Sequence, residues 1–477
     1  MPSNSFTGYQ LYFGDLHNHC NQVGYGYGSV TDALKNARSQ LDFATVTAQA
    51  VWHDENTNDA RLADINRYHH EGFARAASNW GELVNLCEQS NAPGEFITFP
   101  SFEWHSSTYG DYVVLYREPG GEILRQDSPE SLRKKLRAYR QQGIEGMMIP
   151  HHIGYPKGFR GIDWDSFSEE FSPVIEVISM HGVAESDDAP LPYLHTMGPR
   201  DYRSTIQAGL MDGHIFGLVG STDHHSAFPG SYGGGRLGVW AKALTRESIW
   251  EALCSSRVFA VTGDPVSMTF SVNQAVMGGV TPWEFERAIS YVIEAGNAID
   301  YVEVLYRNQV IHRESVFAPV ETNYSEMIKI DLELGWGKKN EYVDWECEIE
   351  VVDGALHDVT SHFRGPDILS PLAIKPERPV ECSWEWTGKN KIRFMTQTWG
   401  NITTTTSATQ GIGLHISGTP QTKIRARINY QDVDLNLPDL MQGSRSGFLG
   451  GFVSPAYKFH RGVNRAEYAL VKQFVDV

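Results

Sequence analysis

The chain is poor in the features that would give it an easy classification. It has only five cysteines in 477 residues, Cys20, Cys87, Cys254, Cys347 and Cys382. No two form a Cys-x-x-Cys pair, and five cannot all pair. That excludes a disulfide scaffold and argues against an all-cysteine zinc site. It has no basic excess: 40 Lys and Arg against 58 Asp and Glu leave a formal charge of −18, which argues against a nucleic-acid partner, since a phosphate backbone needs a basic face. No run approaches 18 apolar residues, so no membrane-crossing helix is expected. Met1 to Phe13 lacks the basic start and apolar stretch of a secretion signal, and a cytoplasmic location is expected. The Asn401-Ile402-Thr403 sequon is then a chance match. There is no internal repeat, no Gly-x-Ser-x-Gly, and no Gly-Lys-Ser/Thr after the glycine-rich Gly230–Gly235 that would make a phosphate-binding loop.

What the chain does have is histidine. Eighteen occur, thirteen in residues 1–264 and five in 265–477, so the surplus is local. Apolar residues make up 41% and charged residues 21%, which fits a globular protein. At roughly 150 residues per domain the length suggests about three domains, or two if one is a large barrel.

Residues 1–264 alternate short apolar runs (Tyr12–Phe13, Phe43–Val46, Phe96–Phe99, Met147–Ile149, Val174–Ile178, Phe216–Val219) with helical stretches. Ser128-Pro129 reads as an N-cap followed by proline at the first helical position, opening a helix that runs to about Gln142 and stops at Gly143. Thr245 caps a helix to Ser255, and Asp59–Gln89 reads as one or two helices. Strand–helix alternation predicts a parallel sheet or barrel with helices outside. After Thr262-Gly263-Asp264-Pro265 the texture changes. Val266–Val272, Tyr301–Tyr306, Trp345–Val352, Lys391–Phe394 and Lys423–Ile428 alternate with period two, which predicts an antiparallel, sandwich-like β domain over 265–477. Thr403–Thr406 reads as a loop.

Five of the N-terminal runs end in metal-ligand types. These ends are Asp15-Leu16-His17-Asn18-His19, Glu103-Trp104-His105, His151-His152, His181 and Asp223-His224-His225. In a parallel barrel the C-terminal strand ends converge on one rim. His17 and His19, two apart on an extended segment, point to one side. A single His-x-His is weak, but five such ends in one domain predict an N/O site for Zn, Mn or Fe, with room for two metals.

Gly14-Asp15-Leu16-His17-Asn18-His19 resembles the first motif of the PHP (polymerase and histidinol phosphatase) superfamily, and Ser221-Thr222-Asp223-His224-His225 its closing Asp-x-His motif. Ile175–Gly182, Gly220–Gly235, Leu244–Leu253 and Arg257–Asp264 look like a PHP-related branch of unknown function. The likeness spans roughly residues 10–310. The resemblance implies an α/β fold, a distorted (β/α)7, TIM-like barrel with a two- or three-metal centre. Carried over by motif, His17, His19, Glu103 and Asp223 would surround one metal. Glu103 would bridge to a second held by His151 and His181, and His225 would belong to a third position or stand beside the first two. One departure is clear. Thr47-Ala48-Gln49-Ala50 places Gln49 where the family carries a histidine. An amide oxygen is a poorer ligand than imidazole, so two metals are expected, unless His53 fills in. At Gly110-Asp111-Tyr112 the branch more often shows Gly-His.

Two metals lower the pKa of a bound water toward about 7 and make hydroxide available. The expected activity is therefore metal-dependent hydrolysis of a small anionic substrate, a phosphomonoester or diester. Arg160 is the candidate for the anion, with Arg236 and Arg257 behind it, and His152 or His224 the candidate general acid. His105 reads equally as ligand or rim. His69-His70 reads as a solvated pair, and His195 and His214 have no motif support. Trp52, Trp104 and Trp164 either wall a pocket or pack. Two alternatives remain: the same centre acting on a non-phosphate C–O or C–N bond, and a barrel that binds metal without catalysis. A panel of phosphate mono- and diesters separates the first from the phosphoesterase reading, and metal content tests the second. Nothing in the sequence sets the oligomeric state.

Overall fold

The computed structural model describes residues 6–195, 197–316, 321–338, 341–366, 380–400, 408–451 and 453–476. The sequon at Asn401 and the Thr403–Thr406 stretch lie outside the described residues.

The first strands follow the apolar runs. They are β1 (Gln10–Asp15), β2 (Phe43–Trp52), β3 (Ile97–His105), β4 (Asp111–Tyr116), β5 (Gly146–His151), β6 (Val174–Ser179), β7 (Gly182–Val183), β8 (Gly217–Gly220), β9 (Arg236–Ala241) and β10 (Val258–Val261). Helices α1 (Val30–Arg38), α2 (Ala63–Ser90), α3 (Pro129–Gln141), α4 (Ile206–Met211) and α5 (Arg246–Cys254) lie between them. The capping chemistry is where the sequence put it. Ser128 accepts from the Ser131 N–H ahead of Pro129, and Thr245 accepts from that of Ser248, each satisfying an otherwise orphaned donor. Helix α2 buries His69, Phe73, Ala76, Leu83 and Cys87 along one face, a helical period.

Of the expected distorted (β/α)7 barrel the structure shows a curled, mixed sheet that hydrogen bonding does not close. Its order is β10-β9-β1-β2-β3-β4-β5, with a separate three-stranded sheet β7-β6-β8. Strands β1, β2 and β3 are parallel, but β4 runs antiparallel to both β3 and β5, and β9 antiparallel to β1 and β10. The physical reason is connection length. Only residues 106–110 join β3 to β4, too few for a crossover, so the chain doubles back, with Gly110 at φ +85° in the turn. Strand β6 lies beside β5, and β8 beside β10, without a ladder on either side.

From Ser267 on, every described strand pairing is antiparallel. Two sheets, centred on Ile328–Trp336 and Val343–Val352, share one core of Ile330, Leu332, Leu334, Trp345, Cys347 and Ile349. This is the layering of a sandwich. A further four-stranded sheet and the hairpin Tyr301–Ser315 pack together around Ile289, Tyr291 and Val304. All five cysteines are free. Among the described residues no helix is long and apolar enough to cross a membrane.

Candidate metal centre

Two backbone segments build the floor of the site. The His17–His19 segment after β1 runs along residues 223–227 after β8, through Asp223 N–H to His17 O (2.8 Å), His19 N–H to His224 O (2.7 Å) and Ala227 N–H to His19 O (3.1 Å). Asp15, at the end of β1, clamps this arrangement. Its carboxylate accepts from the backbone N–H of His17 (3.0 Å), Thr222 (3.2 Å) and Gly230 (2.7 Å), and from the Thr222 hydroxyl. Burial pushes its pKa up to about 6 against those bonds. Asp15 opened the first ligand-bearing strand end in the sequence; the fold uses it as a tie between strands. Asp223 has φ +52° and His152 φ +31°. Such left-handed backbone costs about 1 kcal/mol or more for a non-glycine residue and clusters at functional sites.

On this floor the expected ligands meet. His17 Nε2 lies 3.0 Å from His19 Nε2 and 3.5 Å from Asp223 Oδ1. His19 Nε2 is 3.2 Å from Glu103 Oε2 and 3.1 Å from Asp223 Oδ1. On the other side, His151 Nε2 is 3.2 Å and His181 Nε2 2.8 Å from Asp223 Oδ2, while Glu103 Oε1 is 4.0 Å from His151 Nε2. In the expectation Glu103 spanned the two ligand sets. Here Asp223 spans them more closely, one oxygen to each. All these residues are buried, His181 being the most exposed at 8%.

The outer nitrogens fix which ring nitrogen faces inward. His19 Nδ1 lies 2.8 Å from Thr47 O, so Nδ1 carries a proton and Nε2 is the nitrogen turned toward the other candidate ligands. Glu176 does the same for two rings at once, with Oε2 3.3 Å from His17 Nδ1 and Oε1 2.6 Å from His151 Nδ1. Tyr155 OH, 2.9 Å from His181 Nδ1, orients the fourth ring. Carboxylates and carbonyls behind ligating histidines are a recurrent feature of metal sites. Sequence reasoning missed Glu176, although a glutamate inside the apolar run Val174–Ile178 was a signal, since a buried carboxylate needs partners.

The site fits divalent ions. Two of its buried atoms, His151 Nε2 and Asp223 Oδ1, have no hydrogen-bond partner. Four overlapping triads bring ligand atoms within 4.8 Å of one another: His17/His19/Asp223, His17/His151/Glu176, His151/His152/His181 and Glu103/Asp111/His152. Burial favours neutral groups, but charge pairing outweighs it. The carboxylates of Asp223 and Glu176 hold His17 well above its usual range, and His151 and His17 hold Asp223 well below its own.

The remaining candidates divide. His225 stands beside the ligands. Its Nδ1 is 2.7 Å from Asp223 O, and its Nε2 is 3.3 Å from Gln49 Nε2. Gln49 also accepts the Tyr25 N–H at 2.6 Å, so the amide in the histidine's place is committed on both ends. His53 does not fill in; it stacks on Trp104 and faces Asp54. His152 Nε2 faces Asp111 Oδ2 at 3.1 Å. His224 turns away, with Nδ1 2.9 Å from Ser226 Oγ, and packs against Gly365. Arg160 pairs with Asp111. Arg236 is spent on Gly230 O and Gln40, and Arg257 on Trp240 O and Glu251. His105 lies between Glu103 Oε1 (3.3 Å) and Asp111 Oδ2 (3.2 Å).

The solvated pair is corrected for one member. His70 is exposed beside Glu55, but His69 is buried among Tyr25, Trp52 and His105, because it lies on the inward face of α2. His195 comes within 5.1 Å of the His181 ring, and His214 pairs with Glu169. Trp104 is core and Trp164 packs against Phe167 and Phe216. Trp52 lies at the site, under the guanidinium of Arg160.

Residues 27–168 match a family described as a protein of unknown function, DUF3604. An uncharacterized protein of Chlamydia pneumoniae is 27% identical over 191 residues, which is 36% of this chain and 30% of that protein. Uncharacterized proteins of Chlamydia muridarum and Chlamydia trachomatis are 24% and 23% identical over 254 residues, 49% of this chain and 40% of theirs. The matched segment is thus less than half the length of each of these relatives. Among solved structures, a two-domain protein from Bacteroides vulgatus, described as containing a predicted PHP-like metal-dependent phosphoesterase, is 15% identical with a TM-score of 0.36, over 65% of this chain and 86% of that one.

Proposed function

We propose that the protein is a metal-dependent hydrolase that holds two divalent ions, Zn, Mn or Fe, and cleaves a phosphomonoester or diester. His17, His19, Glu103 and Asp223 would hold one ion, and His151, His181 and the second oxygen of Asp223 the other. The supporting observation is the convergence itself. Ligand-type residues from five strand ends face one point with their inward nitrogens preset by Glu176, Thr47 O and Tyr155. Bound there, two ions would supply an activated water and charge stabilisation. The chain's own part is to fix the spacing through Asp223 and Glu176, and to place His152, the general-acid candidate that remains within the ligand group, beside the reacting atoms.

The test is metal analysis of protein produced with Mn, Fe and Zn, followed by assay on p-nitrophenyl phosphate and bis(p-nitrophenyl) phosphate. About two ions per chain and hydrolysis of either ester are expected. Fewer than one ion per chain would sink the reading.

A second reading, hydrolysis of a non-phosphate C–O or C–N bond by the same centre, is favoured by one observation. Each arginine that was a candidate for the anion is engaged by protein atoms, Arg160 by Asp111, Arg236 by Gly230 O and Arg257 by Glu251. A neutral ester or amide needs no free cation. Turnover of carboxylic esters or amides, with none of the phosphoesters, would select it.

A further inference from the structure

Beside the two ligand sets lies a group that the two-ion arrangement does not use. Asp111 is buried at the start of β4, with Oδ2 3.1 Å from His152 Nε2 and 3.2 Å from His105 Nδ1. Ligand atoms of Glu103, Asp111 and His152 lie within 4.8 Å of one another. His152 Nδ1 and His105 Nε2 are buried without hydrogen-bond partners. Two carboxylates and two imidazoles in one buried place demand a cation. One is there: the Arg160 guanidinium, with Nε 2.9 Å from Asp111 Oδ2, one terminal nitrogen 3.9 Å from Glu103 Oε1 and 3.0 Å from His105 Nδ1, and the other terminal nitrogen against Met197 sulfur at 3.2 Å. Its face lies over Trp52.

The loop that delivers it is built for the purpose. Phe159 N–H and Gly161 N–H both donate to Pro156 O, and Arg160 N–H to Ser107 O. A Cβ at Gly161 would fall 1.6 Å from Tyr155 O, so only glycine closes the turn. Arg160 itself sits at φ +69°, a conformation that glycine would adopt at no cost. The arginine is held there against its backbone preference.

We propose that Asp111, His152 and Glu103 form a third cation site, which this chain fills with its own Arg160 side chain in place of a divalent ion. The inference rests on the two-ion reading for its baseline. The guanidinium supplies fixed positive charge without an exchangeable ion, and it keeps Asp111 and His105 from drawing metal away from the neighbouring sets.

The experiment compares Mn(II) content, after equilibration and gel filtration of the full chain, for wild type, Arg160→Gly and Arg160→Gly/Asp111→Asn. Arg160→Gly should bind one ion per chain more than wild type, and the double variant should lose that gain. An unchanged count in Arg160→Gly, or an extra ion that persists in the double variant, overturns the proposal. If Arg160→Gly is unfolded as isolated, recovery of its circular dichroism on adding Mn(II) supports the proposal, and no recovery at any Mn(II) concentration overturns it. A wild type with fewer than one ion removes the hydrolase reading, while the difference between variant and wild type still decides this one.

Discussion

The chain up to Val261 and the chain from Ser267 on are both rich in strands, yet they place their charged residues in opposite ways. In the later sheets, inward Trp345, Cys347, Ile349 and Val351 alternate with outward Glu346, Glu348 and Glu350. Of these, Glu348 and Glu346 pair across strands with Lys391 and Arg393 in solvent. In the earlier sheet β3 is buried along its whole length. Glu103 and the candidate ligands at the other strand ends then have no outer face to reach, and they meet one another. Period-two alternation sends charge to water, whereas strands covered on both sides gather it into a centre.

Breaking the centre should have the largest effect. Asp223→Asn or His17→Ala is expected to lower hydrolysis by about 10³-fold and to remove bound metal, read by turnover and metal analysis side by side. The apolar side of the contrast is tested by Ile349→Ala, which should cost about 2–5 kcal/mol in urea unfolding while metal content stays at the wild-type value. A simultaneous loss of metal would show that the two regions do not act separately. Glu176→Gln keeps the shape of the side chain but withdraws the charge behind two rings; metal affinity measured by chelator competition should fall about 10–100-fold.

Asp331 sharpens the comparison, because it is a carboxylate in the later sheets that is not fully solvated. Burial, and next the charge of Asp264, push its pKa from 3.8 up to about 7. The folded protein therefore keeps this proton over a range in which the unfolded chain has released it. That contribution to stability is complete below the unfolded pKa and is lost as pH rises through about 7. Asp331→Asn should match wild type at pH 4 and exceed it by on the order of 1 kcal/mol at pH 8 in thermal unfolding. The smallest effect is expected at the exposed Glu348–Lys391 pair, where solvent screens the charges and Glu348→Gln should leave both the thermal-unfolding midpoint and turnover unaltered.

Much of this contrast was legible in the sequence. The apolar runs at Tyr12, Phe96, Met147, Val174 and Phe216 became strands, and the ligand types written after them became one buried cluster, because a strand end and its next residues are local features. The change of period after Asp264 was equally local. The direction of β4 was not read. Tyr112–Tyr116 is an obvious apolar run, but its reversal depends on the short link from His105, which apolar periodicity does not register. Glu176 was hidden for a different reason: its partners come from strands far apart in sequence, and no window contains all three. The inward placement of His69 is legible in its spacing, since it shares the helical stripe of Phe73, Ala76, Leu83 and Cys87 on α2, whereas the adjacent His70 falls on the outer face. Arg160 follows the His151-His152 strand end closely in sequence, but its commitment to Asp111 rests on a contact across 49 positions.

Glu176 joins His17 and His151 from behind, on a short strand with no side chain in solvent. The gap between the two imidazole sets is therefore set by two carboxylates, Glu176 behind and Asp223 between, rather than by any loop. Trp52, Arg160, Met197 and His195, which contact one another or the His181 ring, are carried by separate segments. Such a division lets the loops be redrawn for a new molecule while the interior keeps its measure, as a gauge block does inside an instrument whose jaws are exchanged.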